Sequence, residues 1–263
     1  MSMQIDTLAY GNRLRHLPPG QKVLFACVLL VLVLAGQPLV QWSITAWISL
    51  WIVAYANIPF SFYAKMVAVA SLFLFASLPA LLIEITAASH LPANSLYAIH
   101  VSAWAVYLSK AGLEKAVILF SRSIASFACL SFILLTVPFA EMMQVLKRLR
   151  VPTLICELLM VMYRFVFVIW EAAAQLYVGQ QARGGYNGIR AGLKDAGMLV
   201  RMLFVRTMQR YRQLSIGLAA RGFQGDLRVL SLTHYKRSAR HEAEAVLGIV
   251  LLAGMELWMG GYL

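Results

Sequence analysis

Two arginines in this sequence sit in the same tripeptide, Ala182-Arg183-Gly184 and Ala220-Arg221-Gly222. Glycine accepts the left-handed conformation that ends a helix, and arginine near that end complements the negative pole of the helix dipole. Each copy is therefore expected to stop a helix. A guanidinium held at a helix end also suits the gripping of an acidic group, because its planar fork binds a carboxylate through two parallel hydrogen bonds and keeps its charge. At usual residue frequencies about 0.1 copies of the tripeptide are expected in a chain of this length. Two copies in one basic region point to two similar acidic sockets, as a pair of identical or homologous partner subunits would offer.

Other chemistry is sparsely represented. There is no P-loop, HExxH or GxSxG motif and no pair of carboxylates within the membrane spans. The five histidines, His16, His90, His100, His234 and His241, fall in loops or flanks, which makes no metal site. Cys27, Cys129 and Cys156 each lie in an apolar run with neither CxxC nor zinc spacing, and read as small buried hydrophobes. Arg122 and Glu84 are isolated charges in or near apolar runs, read as a mutual or carbonyl pairing rather than as a transport pathway. No catalytic residue, no cofactor, no metal and no nucleic acid is expected.

The elements that carry the two arginines are set in a membrane-type chain. It has 263 residues, 61% of them hydrophobic, and a mean hydropathy of +0.73. Residues 147–240 hold 16 of the 23 Lys and Arg and only Glu157, Glu171, Asp195 and Asp226 among the 11 acids, which accounts for the whole net charge of +12. The fold class expected is an all-α integral membrane protein. Four spans are placed at roughly 21–36, 39–57, 66–87 and 115–138, within an N-terminal membrane domain of residues 1–138. A basic cytoplasmic domain follows at 139–242, and a fifth span occupies roughly 243–262 within 243–263. The uncharged "GQP" at 36–38 reads as the tight turn of a hairpin. The first twenty residues are polar, contain Arg13, Arg15 and Pro18-Pro19, and do not read as a signal peptide.

Two further apolar stretches are read as helices outside the bilayer core. In 195–219, Arg201, Arg206, Arg210 and Arg212 interrupt the apolar residues, and each central arginine costs about 2.5–3.5 kcal/mol on insertion scales. In 152–178, Glu157, Arg164 and Glu171 recur every seven residues and form one polar stripe, either an internal ladder or a wet edge. Lys147, Arg148 and Arg150 precede this stretch, and Arg183, Arg190 and Lys194 follow it. Spanning would put one basic cluster outside, against the positive-inside rule. Both ends are therefore placed in the cytoplasm, along with the N-terminus and the 58–65 loop with Lys65. Trp42, Trp104, Tyr107, Trp258 and Tyr262 then fall near the outer face as an aromatic belt.

With these residues in place, the sequence resembles the T components of energy-coupling factor transporters. The likeness rests on the paired Ala-Arg-Gly motifs and extends over essentially the whole chain. The opening "IDTLAYGNRLRHLPPGQK" (5–22) and "AARGFQGDLR" (219–228) look like the CbiQ branch, associated with cobalt and nickel. The resemblance implies a non-catalytic scaffold in a bacterial cell membrane. Its implied partners are two ATP-binding cassette ATPases on the cytoplasmic side and a membrane-embedded S component, CbiM-like, with or without a small accessory membrane subunit. The residues it carries over as ATPase-docking are Ala182, Arg183, Gly184, Ala220, Arg221 and Gly222. The competing readings are a stand-alone permease or membrane enzyme whose basic block binds anionic lipid, and an ordinary binding-protein-dependent permease with one coupling segment.

Overall fold

The computed structural model describes residues 2–87, 95–101, 104–222, 235 and 238–260. These divide into two compact units, one within 1–142 and 233–263 and the other within 143–232.

The first unit is built on four apolar helices, α2 (Pro19–Ala35), α3 (Pro38–Leu50), α4 (Phe60–Leu82) and α5 (Lys110–Thr136), preceded by α1 (Ser2–Gly11) and joined by α9 (Ala239–Gly260). Proline at the first helical position of α2 and α3 supplies a preset φ where no amide partner is needed. The hairpin at Gly36-Gln37 is as short as the sequence implies, and it is closed by polar groups rather than by glycine alone. Gln41, fully buried, donates its Nε2 to the carbonyls of Val33 (3.1 Å) and Gly36 (2.8 Å) and accepts from Ser121 Oγ at 2.5 Å. Glu256 of α9 accepts the Gln37 N–H at 3.1 Å. Orphan carbonyls at the end of α2 are thus satisfied internally, as an apolar surround requires.

The core alternates at helical period. Phe25, Leu29 and Val33 of α2, Val40, Ile44 and Ile48 of α3, and Ala125, Cys129 and Phe132 of α5 bury one stripe each against the others. A five-residue π-turn at Trp51–Tyr55 ends α3 with Ala56 N–H bonded to the Trp51 carbonyl at 2.9 Å. It stacks Tyr55 on Trp51 with ring centroids 4.6 Å apart. Where the helices end, Lys22 is buried and donates to the Thr136 carbonyl at 3.2 Å, and Asn12 donates to Leu135 and Thr136 at 3.3 Å. A cation at the C-terminus of α5 complements its dipole.

The opposite faces stay apolar and open. Leu72 and Phe73 of α4 are more than 70% exposed, which a bilayer accommodates and water does not. Pro38–Tyr55, Phe60–Pro79, Gly112–Thr136 and Thr153–Ala182 are each long and apolar enough to cross a membrane. The apolar α2 is shorter, with 17 residues or about 25 Å. The chain is a multi-pass membrane protein of the all-α class.

Several boundaries differ from those read in the sequence. The stretch 58–65 is not a loop throughout. Pro59 starts α4 one residue later, its carbonyl accepting Phe62 N–H at 3.0 Å, so Lys65 lies within the helix. The same helix ends at Leu82 rather than 87, because β1 (Ile83–Ala87), β2 (Ser95–Val101) and β3 (Trp104–Ser109) form a small antiparallel sheet in the order β1-β3-β2. Glu84 pairs in register with Tyr107, and His100 with Ala105. Lys110, Glu114 and Lys115 belong to α5, which starts five residues before the span read there. A short amphipathic helix, α6 (Phe139–Arg148), was not read at all. Glu141 in its first turn and Lys147 and Arg148 in its last complement its dipole. His90, His234, Asp226 and Tyr262 lie outside the described residues, as does the Glu84 side chain invoked as a partner for Arg122. The Arg122 Nε is buried with no hydrogen bond among the described residues.

Candidate functional site

The second unit holds two long helices, α7 (Thr153–Ala182) and α8 (Ile189–Ala220), packed antiparallel. Each ends in one copy of the tripeptide, and the two ends have the same geometry. Ala182 and Ala220 are the last helical residues. Arg183 (φ −96°, ψ 15°) and Arg221 (φ −91°, ψ 8°) occupy the C-cap. Gly184 and Gly222 follow with φ +78° and +70°. In both, the glycine N–H returns to the residue three before it, Gly184 to Gln181 (3.0 Å) and Gly222 to Ala219 (3.1 Å). At the first copy Gly185 N–H also reaches Gln180 carbonyl at 2.9 Å, which completes a Schellman cap. All six residues of the two motifs are exposed.

The loop after the first copy is braced from α8, which starts six residues earlier than read, after Gly188 (φ +88°). Asp195 Oδ2 accepts the Tyr186 N–H at 2.8 Å, and the Asp195 carbonyl accepts Gln180 Nε2 at 3.2 Å. The Tyr186 hydroxyl donates to Gln180 Oε1 at 2.8 Å. Burial, then Tyr177 and Asp195, push that hydroxyl above the usual tyrosine range, so it remains a neutral donor. Tyr186 has φ +65°, a strained value for a non-glycine residue, and the carboxylate bond to its amide holds it there. Neither Tyr186 nor Asp195 shows any signal in the sequence, since nothing local couples residues nine apart across a turn.

The polar stripe of α7 is a wet edge. Glu157 and Arg164 open onto a cavity of about 540 Å³ that also receives Arg210 and Arg221 of α8. Glu171 opens onto a second of about 300 Å³, with Arg206 and Arg210. Among the described residues Glu157, Arg164 and Glu171 form no ion pair with one another, so there is no internal ladder. This cleft was not read in the sequence either, because it depends on the register of α7 against α8. His16 and His241 line a separate cavity in the first unit, where His241 Nδ1 lies 2.8 Å from Ser238 Oγ and its ring packs on Trp51 and Tyr55. Among the described residues no group of three or more His, Cys, Asp or Glu could hold a metal ion.

The pattern of the CbiQ family, described as cobalt transport protein, matches residues 11–233 and so takes in both motif copies. This chain belongs to the CbiQ family. CbiQ proteins are the T components of energy-coupling factor transporters, membrane subunits of cobalt uptake without catalytic activity of their own. The cobalt transport protein CbiQ of Rhodobacter capsulatus is 31% identical over 232 residues, 86% of this chain and 87% of its own. That of Salmonella typhimurium is 26% identical over 225 residues, 84% of this chain and 97% of its own. A fused cobalt transport protein CbiMQ of Methanocorpusculum labreanum is 30% identical over 125 residues, 48% of this chain and 21% of its own length.

Proposed function

We propose that this CbiQ-family chain is the coupling scaffold of an ATP-driven cobalt importer, in which α7 and α8 pass the movement of two ATPases to a membrane-embedded S component. The observation that carries the reading is the duplication of one helix end. Two exposed guanidinium groups, each on the same cap, suit two equivalent acidic grooves on paired subunits. Ala182, Arg183 and Gly184 dock one ATPase, and Ala220, Arg221 and Gly222 the other. The S component is a CbiM-type protein, a partnership supported by the relative in which CbiM and CbiQ are one chain. The test is reconstitution into vesicles. The chain with two ATPases and a CbiM-type protein should take up cobalt only with ATP, and the chain alone should neither hydrolyse ATP nor bind cobalt saturably. Cobalt uptake by the isolated chain would overturn the scaffold role.

The same reading places residues 139–242 and the N-terminus in the cytoplasm, with α7 lying along the inner membrane surface. Length does not decide this. With 30 residues, or about 45 Å, α7 could span the roughly 30 Å hydrocarbon core. Its flanks support the reading, because Lys147, Arg148 and Arg150 stand before it and Arg183, Arg190 and Lys194 after it. Single cysteines at Thr153→Cys and Gln181→Cys, in a background without native cysteine, should both react with a membrane-impermeant maleimide only from the cytoplasmic side. Reaction from opposite sides would make α7 a span and reverse the orientation of everything after it.

A further inference from the structure

The cleft between α7 and α8 has a composition that docking does not explain. Lys147, Arg164, Arg210 and Arg221 line the cavity of about 540 Å³, against the single carboxylate of Glu157. Among the described residues none of these four cations makes an ion pair. Apart from Gln213 the remaining wall is apolar and includes Val161, Phe165, Val168, Leu214 and Leu218. A small inorganic anion would match the cations and leave that wall wet. An apolar helix would cover the wall and bury several cations against the one carboxylate of Glu157, a costly arrangement. An amphiphile with an acidic head satisfies both surfaces.

The path for its tails is also present. At 100° per residue, Leu158 and Met162 lie on α7 beside Phe165, on the flank leading out of the cavity. Both are more than half exposed, and so are Val166 and Trp170 further round. A basic head pocket therefore opens onto a continuous apolar strip.

We infer that this cleft binds an anionic phospholipid of the membrane leaflet it faces, its phosphate between Arg164 and Arg210 and its acyl chains along Leu158 and Met162. Arg221 of the docking motif borders the same cavity, so the test leaves both motif arginines unchanged and reads the lipid site through Arg164 and Arg210 alone. The full-length chain, purified in mild detergent, is titrated with phosphatidylglycerol or phosphatidylcholine, and bound lipid is counted by native mass spectrometry. Phosphatidylglycerol should bind saturably and at least about tenfold more tightly. Each basic residue near an anionic headgroup is worth about fivefold in binding. Arg164→Gln with Arg210→Gln should thus weaken it about 30-fold, and Arg201→Gln with Arg212→Gln, exposed on the same helix and outside the cavity, should change it little. Arg164→Lys with Arg210→Lys keeps the charge and should retain binding within about fivefold, which separates charge from a failure to fold. Equal affinity for the two lipids, equal losses in the two glutamine pairs, loss in the lysine pair as large as in the glutamine pair, or displacement of the lipid by millimolar glycerol phosphate would each overturn the site.

Discussion

Replacing Arg183 and Arg221 together by alanine should strip both ATPases from the complex. Each arginine is exposed at a helix C-cap and followed by a glycine of positive φ, so each guanidinium projects from a rigid support. Truncating one partner of a buried, hydrogen-bonded charge pair costs about 2–5 kcal/mol of binding, or about 30-fold at the least. A single change should leave partial assembly, because the other arm still holds its ATPase. The double change should lose more than the sum of the two, since joined attachments reinforce one another through effective concentration. Transport should suffer even from one change, since in the proposed coupling movement passes through both arms. Arg183→Lys separates a shaped socket from general basicity: lysine keeps the charge and loses the planar fork, so a socket rejects it and a lipid surface does not. Arg201→Ala with Arg212→Ala removes the same net charge from α8 without touching the motifs. The measurement is the amount of ATPase co-purifying with the chain. If the control pair weakens assembly as much as the motif pair, the tripeptides have no special role.

What the sequence made legible followed from local rules. The helix ends at Arg183 and Arg221 were readable because a left-handed glycine cap is set by neighbouring residues alone. The turn at Gly36-Gln37-Pro38 was readable from its uncharged Gly and Pro, although Gly36 is extended at φ −80°, and α3, α4 and α5 from their apolar length. What could not be read depended on contacts distant in the chain. The segment of β1 continued the apolar run of the span read at 66–87, and helix and strand are ambiguous in short apolar runs, while β2 and β3 fell between the spans where no element was read. The start of α8 is read late because Arg190 and Lys194 look like loop residues until Asp195 is seen holding the Tyr186 amide. The cavity cations were visible singly, as Arg164 in one stretch and Arg210 in another, and only the antiparallel register of α7 and α8 brings them to one space.

Changing Gly248 to alanine should destabilise the membrane unit, although the same change six residues along the same helix should not. In an exposed helix interior alanine is favoured over glycine by about 1 kcal/mol. Gly254 of α9 has nothing within 4 Å of where a methyl would stand, so Gly254→Ala should gain close to that amount. At Gly248 a methyl would lie 2.7 Å from the ring carbons Cε2 and Cζ2 of Trp47 on α3 and 2.8 Å from its Nε1. Small residues let helix backbones approach closely in membrane proteins, and here the glycine makes room for an indole whose buried Nε1 has no hydrogen-bond partner among the described residues. Overpacking a fitted contact costs about 1–3 kcal/mol, more than the propensity gain. The helix concerned also fixes the α2–α3 turn through Glu256 and bonds Gln21 through Glu242, so displacing it disturbs the fold at both ends. Thermal unfolding in detergent should therefore show a lower midpoint for Gly248→Ala and a slightly raised one for Gly254→Ala. Trp47→Leu combined with Gly248→Ala should recover part of the loss, because the aliphatic side chain leaves room for the methyl. A Gly248→Ala protein as stable as the wild type would mean that the α3–α9 contact is looser than its geometry implies.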